Sequence, residues 1–300
     1  MDLREHNKYA SRAVHQFMPP KNFELAGESF KLLMDDGYDC VLNFIDGETL
    51  EWGRVGGELF RENYLCLKGD DTTYLVSFEA AETTLRTSHL YIIDKDNSLV
   101  TRQIATVGKN PRWPYLVDTE HEFGAIEQPG KEYTSYPRHG YTSDLIGNTI
   151  QWAYSVDMVT VHIYYCADFY RITYPFIAEG ASTEGNAGRA TNAISAMLNS
   201  LPSRDEPTDY IKIKEGMYLV SLTEQNAEKL LTGQIMFRSN NLTFLQNYKR
   251  VYQVARAFGT STTPDGDTRT HLGIGAYGKL LDSSDERIQK LMTDPNPFLI

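Results

Sequence analysis

The sequence predicts an all-β protein: two tandem antiparallel β-barrels with a few short helices. Three observations carry this. Strand-length apolar runs separated by turn residues fill most of the 300 positions. Tyrosine is abundant, at 19 residues with 13 Phe beside it, and aromatic side chains suit pleated, half-buried surfaces. One strand is also written twice, as Tyr74-Leu75-Val76-Ser77-Phe78-Glu79 and again as Tyr218-Leu219-Val220-Ser221-Leu222-Thr223-Glu224.

The elements follow in order. Residues 1–21 read as a short helical extension that stops at Pro19-Pro20, where the missing amide and the ring block continuation. Residues 22–108 read as a first barrel: "SFKLLM", "YDCVLNF", "ETLEW", "ENYLCLK", "TTYLVSFE", "HLYIID" and "LVTRQIATV", punctuated by "DDG", "DG" and "KDNS". Such pairs between alternating apolar runs are strong hairpin signals. Residues 109–139, rich in Pro, Gly and charge, read as a linker. In residues 140–280 the same grammar restarts, and "LIGNTIQWAYSVD" loosely matches "LAGESFKLLMDDG". That repetition argues for a second barrel. About eight short strands make a closed barrel that encloses one small ligand, with a β-sandwich as the alternative of equal pattern. Residues 176–209 interrupt this half and read as a lid or as a solvated excursion. Residues 281–300 read as a C-terminal helix and tail, with capping-box spacing from Ser283 to Glu286.

Composition narrows the partners. The formal charge of -11 repels phosphate backbones, and no basic stripe offsets it, so nucleic acid is not expected. No secretory leader and no apolar run of about 20 residues is visible, so no membrane partner is expected. Cys40, Cys66 and Cys166 are an odd, unpaired set that fits a reducing compartment, and the chain reads as cytoplasmic. A homo-oligomer is left open.

Standard chemical motifs fail. "GIGAYG" spells G-x-G-x-x-G through Gly273, Gly275 and Gly278, but no βαβ unit surrounds it, so a turn or close strand packing is expected. The seven histidines show no H-x-H or H-E-x-x-H spacing, and neither a nucleophile elbow nor a phosphate loop is present. No metal and no cofactor is expected.

The repeated strand says more. Side chains alternate across a strand, so Tyr218, Val220, Leu222 and Glu224 share one face. In the first copy Glu79 falls on the opposite face, and Ala80 takes the position of Glu224. If the shared face is the interior, only the second barrel aims a carboxylate inward; the other reading puts Glu224 at the rim. Trp152 with Tyr154, His162 with Tyr164, and Tyr170 with Ile172 form further same-face pairs. A barrel gathering Trp152, Tyr154, His162, Tyr164 and Glu224 would offer aromatic walls and a few orienting polar groups.

The runs "YPRHGYTSDLIGNTIQWAYS", "VHIYY", "GMYLVSLTE" and "FRSNN" resemble the C-terminal domain of the MoaF family, and "GESFKLLMDDG", "LEW" and "YLVSFE" resemble its N-terminal domain. The resemblance implies two lipocalin-like (calycin) barrels. The block "IGNTIQWAYS … GMYLVSLTE" is more distantly similar to the phenolic acid decarboxylases. In that likeness Tyr154 matches the second tyrosine of a Tyr-x-Tyr pair, Glu224 matches the glutamate, and Arg171 is the candidate arginine. Trp152 replaces the first tyrosine, removing a carboxylate-orienting hydroxyl. The likeness therefore implies cofactor-independent lyase or isomerase chemistry, a proton transfer on a small apolar, phenolic or unsaturated metabolite of secondary metabolism. Glu224 would be the acid/base, Tyr154, His162 and Arg171 the polar helpers, and Trp152, Tyr164, Tyr218 and Leu222 the walls. The alternative is a non-catalytic carrier or sensor of a hydrophobic or aromatic ligand.

Overall fold

The computed structural model describes residues 16–130, 132, 137–155, 158–173, 203–224, 236–263, 266–286 and 288–289. The chain divides into two compact units, Pro20–Tyr141 with Ile211–Met217, and Met1–Pro19 with Thr142–Tyr210 and Tyr218–Ile300.

Eight strands close the first barrel: β1 (Ser29–Met34), β2 (Cys40–Phe44), β3 (Thr49–Arg54), β4 (Phe60–Lys68), β5 (Thr73–Ala80), β6 (Thr87–Asp94), β7 (Leu99–Val107) and β8 (Val117–Ile126). Each pairs antiparallel with the next, and β1 closes on β8 with Leu32 opposite Ile126. The turns form where short acids stand in for backbone partners. Asp46 Oδ1 accepts from the amides of Glu48 (2.8 Å) and Thr49 (2.7 Å), which fixes the reversal into β3. Gly37, in "DDG", takes φ 77°, a conformation that a side chain would oppose.

The second barrel is built from β10 (Thr149–Ala153), β11 (Val159–Tyr164), β12 (Phe169–Thr173), β13 (Arg204–Lys214), β14 (Met217–Glu224), β15 (Met236–Asn247), β16 (Tyr252–Thr263) and β17 (Gly266–Leu281). Its order is β12-β11-β10-β17-β16-β15-β14-β13, closed by the β12–β13 pairing, while the short β9 (Gly140–Tyr141) pairs with β13 at Ile211 and Lys212. Closure excludes the sandwich alternative and removes sheet edges.

The registers expose the repeat. Phe30 faces Leu42 as Ile150 faces His162, and Leu42 faces Trp52 as His162 faces Ile172, a constant offset of 120 residues. Trp52 then faces Phe60, whereas Ile172 faces Arg204, so the offset grows to 144 and 24 extra residues lie between Ile172 and Arg204.

Three boundaries differ from the sequence reading. Val117–Ile126, inside the expected linker 109–139, is the strand that closes the first barrel. Its charged residues, Asp118, Glu120 and Glu122, hide the alternation that marks a strand. Arg204–Asp209, expected to end the 176–209 insertion, is the start of β13; Pro207 and four charges mask it in the same way. At the C-terminus, Asp282 Oδ1 accepts from the Ser284 amide (2.9 Å), while Ser283 Oγ donates to the Gly147 carbonyl (2.7 Å), so Ser283 is not the cap. The expected helix at 1–21 falls, up to residue 15, outside the described residues, as does 174–202 of the insertion. Among the described residues no helix is long and apolar enough to cross a membrane.

Candidate functional site in the second barrel

The core of the second barrel contains Trp152, Tyr154, Tyr164, Tyr170, Ile172, Tyr210, Tyr218, Val220, Leu222 and Phe244. On β14 the inward residues are therefore Tyr218, Val220 and Leu222, and period-two alternation carries Glu224 to the same face. Glu224 is buried, with 7 % of its surface exposed. Tyr170 and Ile172 fix the inward face of β12, which turns Arg171 outward. There Arg171 makes a bidentate pair with Asp205, at 2.7 and 3.1 Å. The sequence expectation that Arg171 joins Glu224 is thus corrected by parity.

The arginine that does meet Glu224 is Arg204, opposite the inward Ile172 and 1 % exposed. Its Nη2 donates to Glu224 Oε1 at 3.2 Å, and its Nε to Glu206 Oε1 at 2.9 Å. Two buried carboxylates share one guanidinium, so the trio is neutral only when one acid holds a proton. Burial pushes the Glu224 carboxyl up to about 7, Arg204 opposes that rise, and Glu206 adds to it. His162, on the inward face of β11, has its ring 4.9 Å from that of Tyr170 and 5.9 Å from that of Phe244. Burial, with the charge of Arg204, drives its imidazole down to about 3, so it is neutral at pH 7.

A hydrogen-bonded chain runs from His162 across the interior. His162 Nδ1 and Tyr164 Oη are 3.3 Å apart; Gln246 Nε2 donates to Tyr164 Oη (2.8 Å) and to Gln253 Oε1 (3.0 Å); Gln253 Nε2 donates to Tyr154 Oη (3.2 Å). The structure thus links Tyr154, His162 and Tyr164, three residues picked from the sequence, through two glutamines that were not. Trp152 is fully buried, and its ring occupies space that a Cβ at Gly278 would invade, at 2.6 Å. Gly278 of "GIGAYG" therefore serves close packing, as expected.

Tyr218 does not join Glu224. Six residue steps along the strand separate them, about 20 Å at ~3.3 Å per step, too far for one small ligand. Tyr218 instead donates to Asp144 Oδ2 (3.3 Å) and meets the Tyr248 ring at 5.6 Å. Leu222 lies one inward step from Glu224, within the barrel core.

Two interior polar groups were not legible in the sequence. Asn241 Nδ2 donates to the Leu222 carbonyl at 2.9 Å, which sets its neighbour Asn240 at the level of the β14 end, on the inward face shared with Leu242 and Phe244. Asn240 is 1 % exposed, yet neither its Nδ2 nor its Oδ1 has a hydrogen-bond partner. Thr160, on the inward face with His162, likewise has an unpartnered buried Oγ1. Among the described residues no group of three or more His, Cys, Asp or Glu is arranged to hold a metal ion.

These features define a pair of closed eight-stranded barrels, the second holding a buried Glu224–Arg204–Glu206 trio. Residues 10–109 match the family model described as the MoaF N-terminal domain, so the first barrel is similar to that domain, as "GESFKLLMDDG", "LEW" and "YLVSFE" imply. No curated protein matches the chain.

Proposed function

We propose that the second barrel is the active site of a cofactor-independent lyase or isomerase acting on a small, largely apolar, phenolic or unsaturated metabolite, in a cytoplasmic setting. The observation that carries this reading is Glu224: a carboxyl on the inward face, poised near neutrality at about 7 beside Arg204 and Glu206. A group at that pKa exchanges a proton in either direction at pH 7. Arg204 offsets negative charge developing on an enolate or phenolate. The unpartnered amide of Asn240 supplies a donor and an acceptor for the ligand's polar end. The distant likeness of Tyr154 and Glu224 to the paired residues of phenolic acid decarboxylases supports the same chemistry. Tyr154, bonded to Gln253, acts through the interior network, and Trp152 and Leu222 are apolar wall. The free cysteines Cys40, Cys66 and Cys166 support the compartment.

The test is a panel of phenolic and unsaturated acids assayed with the wild type and with Glu224→Gln. Glutamine keeps the shape and removes proton exchange, so turnover should fall ~10²–10⁴-fold with far less change in affinity. Binding without wild-type turnover across the panel would establish the carrier or sensor reading instead.

A further inference from the structure

The first barrel has an unassigned polar interior of its own. Trp52 on β3 and His89 on β6 are buried, and their ring centroids lie 4.5 Å apart. These strands are not neighbours in the sheet, so the rings meet across the lumen. His89 is also stacked on Phe78, with centroids 5.5 Å apart and planes 6° from parallel. Arg102 faces Tyr91 across the β6–β7 ladder, and Tyr91 belongs to the barrel core, so Arg102 points inward as well. Trp52 Nε1, His89 Nδ1 and Arg102 Nε are all buried without a hydrogen-bond partner. An unpaired buried polar atom is costly, and folded proteins satisfy nearly all of them. Three such atoms in one lumen, two of them certain donors, mark a place where something else supplies the acceptors.

We propose that the first barrel binds a small, neutral, planar aromatic molecule carrying a carbonyl-type acceptor, packed beside the Trp52–His89 pair and held by Trp52 Nε1 and Arg102 Nε. Neutrality follows from the charges already present. Arg102 is matched by Asp36, whose Oδ2 accepts from Nη2 at 2.5 Å. His89 is held uncharged, with burial driving its imidazole down to about 3. Glu62 and Glu122, which stand opposite the inward Leu50 and Arg102, are both raised from their ordinary value, with burial the first cause. Donors are therefore on offer, but no uncompensated cation, and a carboxylate would be left without its counter-charge.

The full chain contains three tryptophans, so its indole N–H resonances form a short, resolvable set. Titration with 2-acetonaphthone, a neutral planar ketone, should shift the Trp52 indole signal, and 2-naphthoate, its anionic counterpart, should leave it in place. Trp52→Phe keeps a ring and removes the donor; in the folded variant, ketone affinity should weaken about tenfold. Should that variant not fold, sequential assignment of the wild type still identifies the Trp52 signal. An unmoved Trp52 resonance at saturating ketone overturns the site. A naphthoate shift as large as the ketone's overturns the neutral ligand class, and unchanged affinity in folded Trp52→Phe overturns the role of its donor.

Discussion

The two barrels share their registers and differ in what they point inward. At the offset of 120 residues, Leu32, Met34, Leu42 and Phe44 of the first barrel become Trp152, Tyr154, His162 and Tyr164 of the second. At the offset of 144, Phe60 becomes Arg204, Glu62 recurs as Glu206, and Ala80 becomes Glu224. On β5 the inward set is Tyr74, Val76, Phe78 and Ala80, all in the core, while Glu79 turns outward to a bidentate pair with Arg86 at 2.6 and 2.9 Å. The same phrase thus serves two purposes. In the first copy its acid is a surface charge, and in the second the acid moves one residue and enters the barrel. Alternation makes that one step decisive, because a shift of one residue moves a side chain from one face to the other. The scaffold is held constant, and at the position of Ala80 the second lumen gains a carboxyl at the cost of desolvating it.

That difference can be broken at its counter-charge. Arg204→Met should destabilise the second barrel by about 3–5 kcal/mol, because Glu206 and Glu224 lose their shared partner while still buried. Its positional counterpart, Phe60→Met, is a near volume-conserving apolar change and should cost under about 1.5 kcal/mol. Chemical denaturation monitored by hydrogen exchange in each barrel separates the two effects. Equal costs would show that Arg204 is not structurally tied to the acids.

A second prediction uses pH. The folded-state pKa of Glu224, about 7, lies above its ordinary value of 4.5. The native state therefore binds the proton more tightly, and the stabilisation this gives is complete below pH 4.5 and lost as pH rises through 7. His162 and His89, both held down near 3, have the opposite sign: their contribution is present above pH 6.5 and lost as pH falls toward 3. The terms overlap between pH 4.5 and 6.5, so the informative quantity is the stability of the wild type minus that of Glu224→Gln. That difference should fall by roughly 3 kcal/mol from pH 4.5 to pH 7.5. A flat difference would mean that Glu224 is solvated.

The smallest expected effect sharpens the comparison from the other side. Glu79→Gln weakens a partly exposed ion pair, so stability should change by about 1 kcal/mol or less, and turnover should not change. A loss of turnover comparable with that of Glu224→Gln would remove the distinction between the faces.

Legibility in the sequence followed the same physics. Apolar alternation and Asp/Asn turns made most strands of the first barrel readable, and the repeat made the second barrel readable. Parity alone assigned Glu79, Ala80 and Glu224 to their faces. Strands whose inward residues are charged were not legible as strands, and β13 is the clearest case, because the Arg204–Glu206 motif reads as a polar loop until Ile172 is found opposite it. The same failure moved the arginine role to Arg171, the nearest arginine in a recognisable strand. Gln246 and Gln253 flank a hairpin and become partners of Tyr164 and Tyr154 only once the barrel closes. Distance along a strand was also missed: Tyr218 shares the face of Glu224 but lies too far along the barrel to share a ligand.

The central claim is that the second barrel holds a desolvated carboxyl near neutrality where the first holds Ala80. Difference infrared titration of the carboxyl stretch, comparing the wild type with Glu224→Gln between pH 3 and pH 9, measures that directly. A band present in the wild type, absent in the variant and titrating with a midpoint near 7 is the predicted result. A Glu224 band that titrates near the ordinary value of 4.5 would contradict it and place the acid at the barrel's solvated rim.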